Sequence, residues 1–101
     1  MNATLVRNLA QATLYGTIPF PEIVGQLITE SVEYYHVDYI RLQFTFYGAD
    51  GGVVTAPLAL EGLPEVAADF NAAGLRAAIL DSQQNGQAYR QFCIRAMMAG
   101  V

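Results

Sequence analysis

The sequence holds a single histidine, and a carboxylate lies two residues beyond it: His36 and Asp38, in the run Tyr34-Tyr35-His36-Val37-Asp38. On extended backbone, positions i and i+2 share a face, so Tyr34, His36 and Asp38 line up on one side of a strand. A carboxylate orients an imidazole and raises its basicity, which makes a general base that works near neutral pH. Tyrosine hydroxyls and rings hold small ligands, and Tyr34 and Tyr47 are the candidates to line such a pocket. The chemistry these residues predict is acid–base work by His36 and Asp38 on a small organic ligand held by Tyr34 and Tyr47. A plainer reading uses the same residues. Short His-x-Asp spacings arise by chance, aspartate caps turns, and tyrosine favours strands with a half-wet face. An unbroken strand would carry the His36 face on into Ile40, Leu42, Phe44 and Phe46, placing the pair at the border of the core.

Other chemistry finds less support in the residue types. Cys93 lies on an apolar stripe with Phe92, Ala96 and Met97, where a thiol behaves as a small hydrophobe rather than a nucleophile. Met97 and Met98 read as packing or oligomer contact. Gly51-Gly52 lacks the lysine and following helix of a phosphate loop. One histidine and one cysteine predict no metal site, and nothing in the sequence implies a cofactor.

Charge narrows the partners. The five basic residues are all arginines, set against nine acids for a net charge of −4. Nucleic-acid binding needs a basic stripe over several phosphates, and none exists; an anionic membrane surface is disfavoured for the same reason. No apolar run reaches the roughly 20 residues of a membrane span. The start, Met1-Asn2-Ala3-Thr4, lacks the order of a signal peptide, and one cysteine permits no internal disulfide. These features predict a cytoplasmic protein. Its 101 residues, 53% hydrophobic and only 14% charged, exclude disorder and predict one domain over residues 1–101 with apolar surface left for a partner.

The elements follow from period and punctuation. Asn2 caps a first helix with Leu5, Val6, Leu9, Ala10 and Leu14 at helical spacing, ended by Gly16. A second helix begins near Pro21 and presents Ile23, Val24, Leu27 and Ile28. From Val32 the period changes to two and runs to Tyr47, long enough to require a bend or reversal near Asp38. Gly48-Ala49-Asp50-Gly51-Gly52 is a hairpin turn, and Val53 to Leu58 returns antiparallel. Pro64 to Phe70 reads as a short helix. Asn71 to Gln84 reads as another, interrupted at Gly74, with Leu75, Ala78 and Ile79 on one face. A last helix, from about Gln87 to Ala99, turns Phe92, Cys93, Ala96 and Met97 inward, with Gly100 just past its end. The fold class is α+β: a short antiparallel sheet of about three strands, residues 32–58, covered by helices from the N- and C-terminal segments.

Sliding Phe20 onto Tyr89 also lays Ile23, Val24, Leu27, Ile28 and Val32 over Phe92, Cys93, Ala96, Met97 and Val101, a weak internal repeat. The runs Ser31-Val32-Glu33-Tyr34-Tyr35-His36-Val37-Asp38, Thr45-Phe46-Tyr47-Gly48-Ala49-Asp50-Gly51, Tyr89-Arg90-Gln91-Phe92-Cys93 and Ala99-Gly100-Val101 resemble a bacterial family of unknown function. It includes the YdfO-like and YbcV-like proteins, sometimes labelled phage envelope proteins. The resemblance implies an α+β fold and brings no accepted activity, cofactor or catalytic residue. Similar members continue past Ala-Gly-Val with two more strands, which the repeat also predicts, and often carry glycine where this chain has Ser31.

Two functions are therefore expected. The first is a non-catalytic binding or interaction module acting as a homo-oligomer, its exposed strand edge at Val32–Val37 or Val53–Leu58 covered by a partner. The alternative is a small biosynthetic enzyme or ligand carrier using the Tyr34, His36, Asp38 and Tyr47 pocket.

Overall fold

Asn2 starts the first helix as its type predicts: its side chain accepts from the Leu5 N–H at 3.0 Å and α1 runs Ala3–Tyr15. A computed structural model describes all residues, 1–101. α2 follows over Phe20–Thr29, and then three strands: β1 Val32–Asp38, β2 Gln43–Gly48 and β3 Val53–Pro57. They form an antiparallel sheet in the order β1-β2-β3. Two further helices, α3 Ala72–Asn85 and α4 Tyr89–Met98, complete an α+β chain. No helix is long and apolar enough to cross a membrane. The chain divides into two compact units, Met1–Ala59 and Leu60–Val101.

In the first unit α1 packs on β3 and α2 on β1. Val6, Leu9 and Ala10 of α1 and Ile23 and Leu27 of α2 are buried with Phe44, Phe46, Val54 and Ala56 of the sheet. Half of the stripe expected on α2 is not covered: Val24 and Ile28 are exposed, because one sheet face meets only the Ile23–Leu27 side of the helix.

The reversal expected near Asp38 is a four-residue turn, Tyr39 to Leu42, between the paired residues Asp38 and Gln43. It changes which residues are core. An even-numbered loop in an antiparallel pair sets even positions of one strand beside odd positions of the next. Ile40 and Leu42 are thereby removed from the strand face expected for them and lie exposed in the turn, Ile40 at 80%. Asp50 holds the second hairpin by accepting the Gly52 N–H at 2.8 Å.

Ser31 joins α2 to β1 at φ 64, in the left-handed region that disfavours a Cβ. Ser31→Gly is expected to stabilise the protein by about 0.5–1 kcal/mol, the relief of that strain less the extra entropy of an unfolded glycine. A urea midpoint at or below that of the parent would refute it.

In the second unit, residues 60–71 contain no helix, which corrects the helix expected over Pro64–Phe70. The Ala67 N–H donates to the Met97 carbonyl at 2.9 Å and the Asn71 N–H to the Ala99 carbonyl at 2.8 Å. Helices leave their last carbonyls without internal partners, and a seven-residue stretch is too short to hold a helix against that competition. Gly74 does not interrupt α3; its N–H is the donor that the Asn71 cap accepts, at 2.9 Å. Of the residues expected inward on α3 only Ala78 is fully buried, whereas Ile79 is exposed. On α4 Cys93, Ala96 and Met97 are buried and Phe92 is half-buried. Asp81 of α3 and Arg95 of α4 form an ion pair, and Gln87 between the helices accepts from Arg95 at 3.0 Å and donates to the Ala78 carbonyl at 3.1 Å. Hydrogen bonds from Arg95 first, then Asn85, hold the Asp81 carboxyl below the usual carboxylate range.

Candidate functional site

Period two places Tyr34, His36 and Asp38 on one face of β1, as the sequence predicts, but that face is turned away from the core. Register pairs Tyr34 with Tyr47, His36 with Thr45 and Asp38 with Gln43. β3 continues these rows with Val53, Thr55 and Pro57. Phe44, Phe46, Val54 and Ala56 occupy the other face and are buried. An unbroken strand would have set His36 and Asp38 at the border of the core; the strand instead reverses after Asp38, the four-residue turn inverts the parity, and the pair lies on the sheet face opposite Phe44 and Phe46.

Tyr34 and Tyr47 are brought together. Their rings stack with centroids 4.7 Å apart and planes inclined by 20°, so each ring covers part of the other. His36 is exposed between Tyr34 and Asp38. Asp38 is engaged elsewhere. Its Oδ1 accepts from the N–H groups of Ile40 and Arg41, each at 2.9 Å, and its Oδ2 lies 3.9 Å from Arg41 Nε. The Arg41 N–H, and after it the Ile40 N–H, the Arg41 charge and the nearby His36, hold its carboxyl below the usual range. Asp38 is a turn cap first, and no hydrogen bond passes from it to His36.

A catalytic pair needs a cavity that holds substrate and excludes water. On the sheet face around His36, Tyr34 and His36 are exposed and Asp38, Gln43, Thr45 and Tyr47 are half-buried. The first unit does contain a small cavity, of about 10 Å³, but it lies on the opposite face, lined by residues such as Leu9, Ile23, Phe44 and Phe46. That is about the room of one water, in apolar surroundings. No three His, Cys, Asp or Glu side chains converge in a way that would hold a metal ion.

Two residues outside this set matter for what the sheet can do. Arg7 of α1 reaches across to β3, its Nε donating to the Thr55 carbonyl at 3.0 Å. Pro57 ends the same strand. Proline in a strand is an edge signal, and the sequence reading did not use it at Pro57; Arg7 carries no such signal, since nothing local ties it to a strand far along the chain. Comparison with protein-family models, curated proteins and solved structures finds no match to this chain.

Proposed function

We propose that the protein is a small, non-catalytic interaction module that works as a homo-oligomer in the cytoplasm. The observation that carries this reading is the surface: Ile28, Ile40, Phe70 and Met98 are each more than half exposed. Few charges dilute them, and apolar surface in excess of a monomer's needs is the usual mark of a protein partner. The exposure of Tyr34 and His36 and the use of Asp38 as a turn cap favour contact over catalysis. The single buried cysteine fits a reducing compartment, and the family resemblance adds no activity to set against this reading. Light scattering coupled to gel filtration across a wide concentration range tests it. The expected mass is at least twice the 11.0 kDa of one chain. A constant single-chain mass up to high protein concentration would overturn the proposal.

A further inference from the structure

The two units carry one helical plan twice. Asn2 caps α1 by accepting the Leu5 N–H, three residues on, and Asn71 caps α3 in the same way with the Gly74 N–H. Each of these helices ends on a left-handed glycine, Gly16 at φ 66 and Gly86 at φ 64. The next helix starts from Pro19 at φ −57, ψ 139 in one unit and from Ala88 at φ −60, ψ 142 in the other. It closes with matching bonds: the Glu30 N–H donates to the Gln26 and Leu27 carbonyls, and the Ala99 N–H to those of Arg95 and Ala96. Ser31 and Gly100 then turn left-handed. The weak sequence repeat of Phe20–Val32 in Tyr89–Val101 is thus a structural one that reaches back to the two asparagine caps.

The units differ in what lies on the second helix. Cys93 and Met97 of α4 are buried, whereas their counterparts on α2 are not: Val24 and Ile28 are 36% and 66% exposed, and Phe20, one turn before them, is 48% exposed. α3 does not cause the difference. Arg95, which pairs with Asp81, marks the side of α4 toward α3, and Cys93 and Met97 each stand two residues from it, about 200° round the helix. Within the unit, the helix-less segment 60–71 remains to cover them, and it runs the length of α4. A Cβ on Gly62 would lie 3.2 Å from Arg90 Nη2, the Ala67 N–H donates to the Met97 carbonyl, and the Asn71 N–H donates to the Ala99 carbonyl. In the first unit the residue before the asparagine cap takes another course. Met1 sits against the β2–β3 turn, its Cε 3.2 Å from where a Cβ on Gly48 would stand.

We propose that the Phe20, Val24 and Ile28 row docks an extended, apolar and basic segment of a partner protein, laid along α2 as the segment 60–71 is laid along α4. The second unit shows the form of segment that such a row takes. Charge selects its owner. The segment on α4 carries Glu61, Glu65 and Asp69, and α4 carries Arg90 and Arg95. α2 has Pro21 and Gln26 at the matching positions, and from Thr17 to Ile40 the chain holds Glu22, Glu30, Glu33 and Asp38 without one arginine or lysine. An acidic segment therefore suits α4 and is repelled at α2, where lysine or arginine between the apolar residues is complementary. The same charges exclude residues 60–71 of a second chain as the occupant, so the row points to a different protein.

Two synthetic peptides test it, titrated into the full chain and followed by amide shifts in nuclear magnetic resonance. One has the sequence from Leu60 to Asn71 as it stands; the other carries Glu61→Lys, Glu65→Lys and Asp69→Lys. The lysine peptide is expected to shift the amides of α2 saturably, to bind at least tenfold tighter than the native peptide, and to weaken as salt is raised. Ile28→Ser, at an exposed position, is expected to weaken that binding at least tenfold with unchanged circular dichroism, and Val24→Ser replaces it should that variant not fold. Ile40→Ser, exposed in the turn after β1, is expected to leave binding unchanged. No shift on α2, binding that survives both serine variants on the row, or equal affinity for the two peptides overturns the proposal. The proposal rests on the reading of the protein as an interaction module and not on its self-association, and light scattering on the same samples keeps the two apart. A monomer that binds the lysine peptide overturns the oligomer alone; an oligomer that does not bind it overturns the docking row alone.

Discussion

Phe44→Ala is expected to unfold the N-terminal unit in a large part of the population. Phe44 occupies the central strand, paired with Val37 on one side and Ala56 on the other, and is 2% exposed. Its ring lies 5.8 Å from that of Phe46 and 6.3 Å from that of Tyr35. Truncating a buried phenylalanine costs about 3–5 kcal/mol, from lost transfer free energy and the cavity left behind. Domains as a whole are stable by only about 5–15 kcal/mol, and small ones sit at the low end because they bury less of their surface. Urea unfolding followed by near-ultraviolet circular dichroism checks it. Phe44→Leu, which keeps most of the volume, is expected to lose less than half as much. A loss under 1 kcal/mol for the alanine variant would mean that Phe44 does not centre the core.

The same residue shows what the sequence carries and what it leaves open. Alternation over Phe44 and Phe46 marks a buried face, and caps at Asn2 and Gly16 bound a helix because side-chain and backbone chemistry act locally there. Ile40 and Leu42 obey the same alternation and are nevertheless outside. Period two states which residues share a face only while the strand continues. The length of the turn, and with it the parity of the next strand, depends on where Asp38 finds backbone N–H groups to accept. Tyr34, His36 and Asp38 could be aligned from spacing alone; the meeting of Tyr34 with Tyr47 needs the register that this turn sets. Residues 60–71 fail for another reason. Pro64 and Glu65 are good first-turn residues, but the carbonyls of Met97 and Ala99 compete for the N–H groups a helix would use. Nothing near residue 67 announces them. Arg7 is equally distant in sequence from the Thr55 carbonyl it donates to, so that contact becomes visible only when the sheet is assembled.

The second large effect is expected at Gly100, where local conformation and distant packing act together. α4 ends in a paired-bond cap: the Gly100 N–H donates to the Met97 carbonyl and the Val101 N–H to the Ala96 carbonyl, each at 3.1 Å. That geometry places Gly100 at φ +85, and a Cβ there would stand 2.5 Å from the Asp69 carbonyl oxygen and 2.9 Å from its carbon. These are backbone atoms of the segment that Ala67 and Asn71 fasten to the same helix end, so no side chain can swing aside. Gly100→Ala therefore combines left-handed strain with forced displacement of residues 67–71, together on the order of 3 kcal/mol. Gly16→Ala isolates the first component. Gly16 caps α1 at φ +66 with nothing within 4 Å of the would-be Cβ, so alanine there meets strain and no collision. Its expected cost is about 1 kcal/mol. Chemical denaturation of both variants, with hydrogen exchange at Ala67 and Asn71, separates the two. If Gly100→Ala costs no more than Gly16→Ala and leaves those amides protected, the close approach at Asp69 does not hold the second unit together. If the excess appears with loss of that protection, a three-residue turn is what keeps a helix-less segment in place.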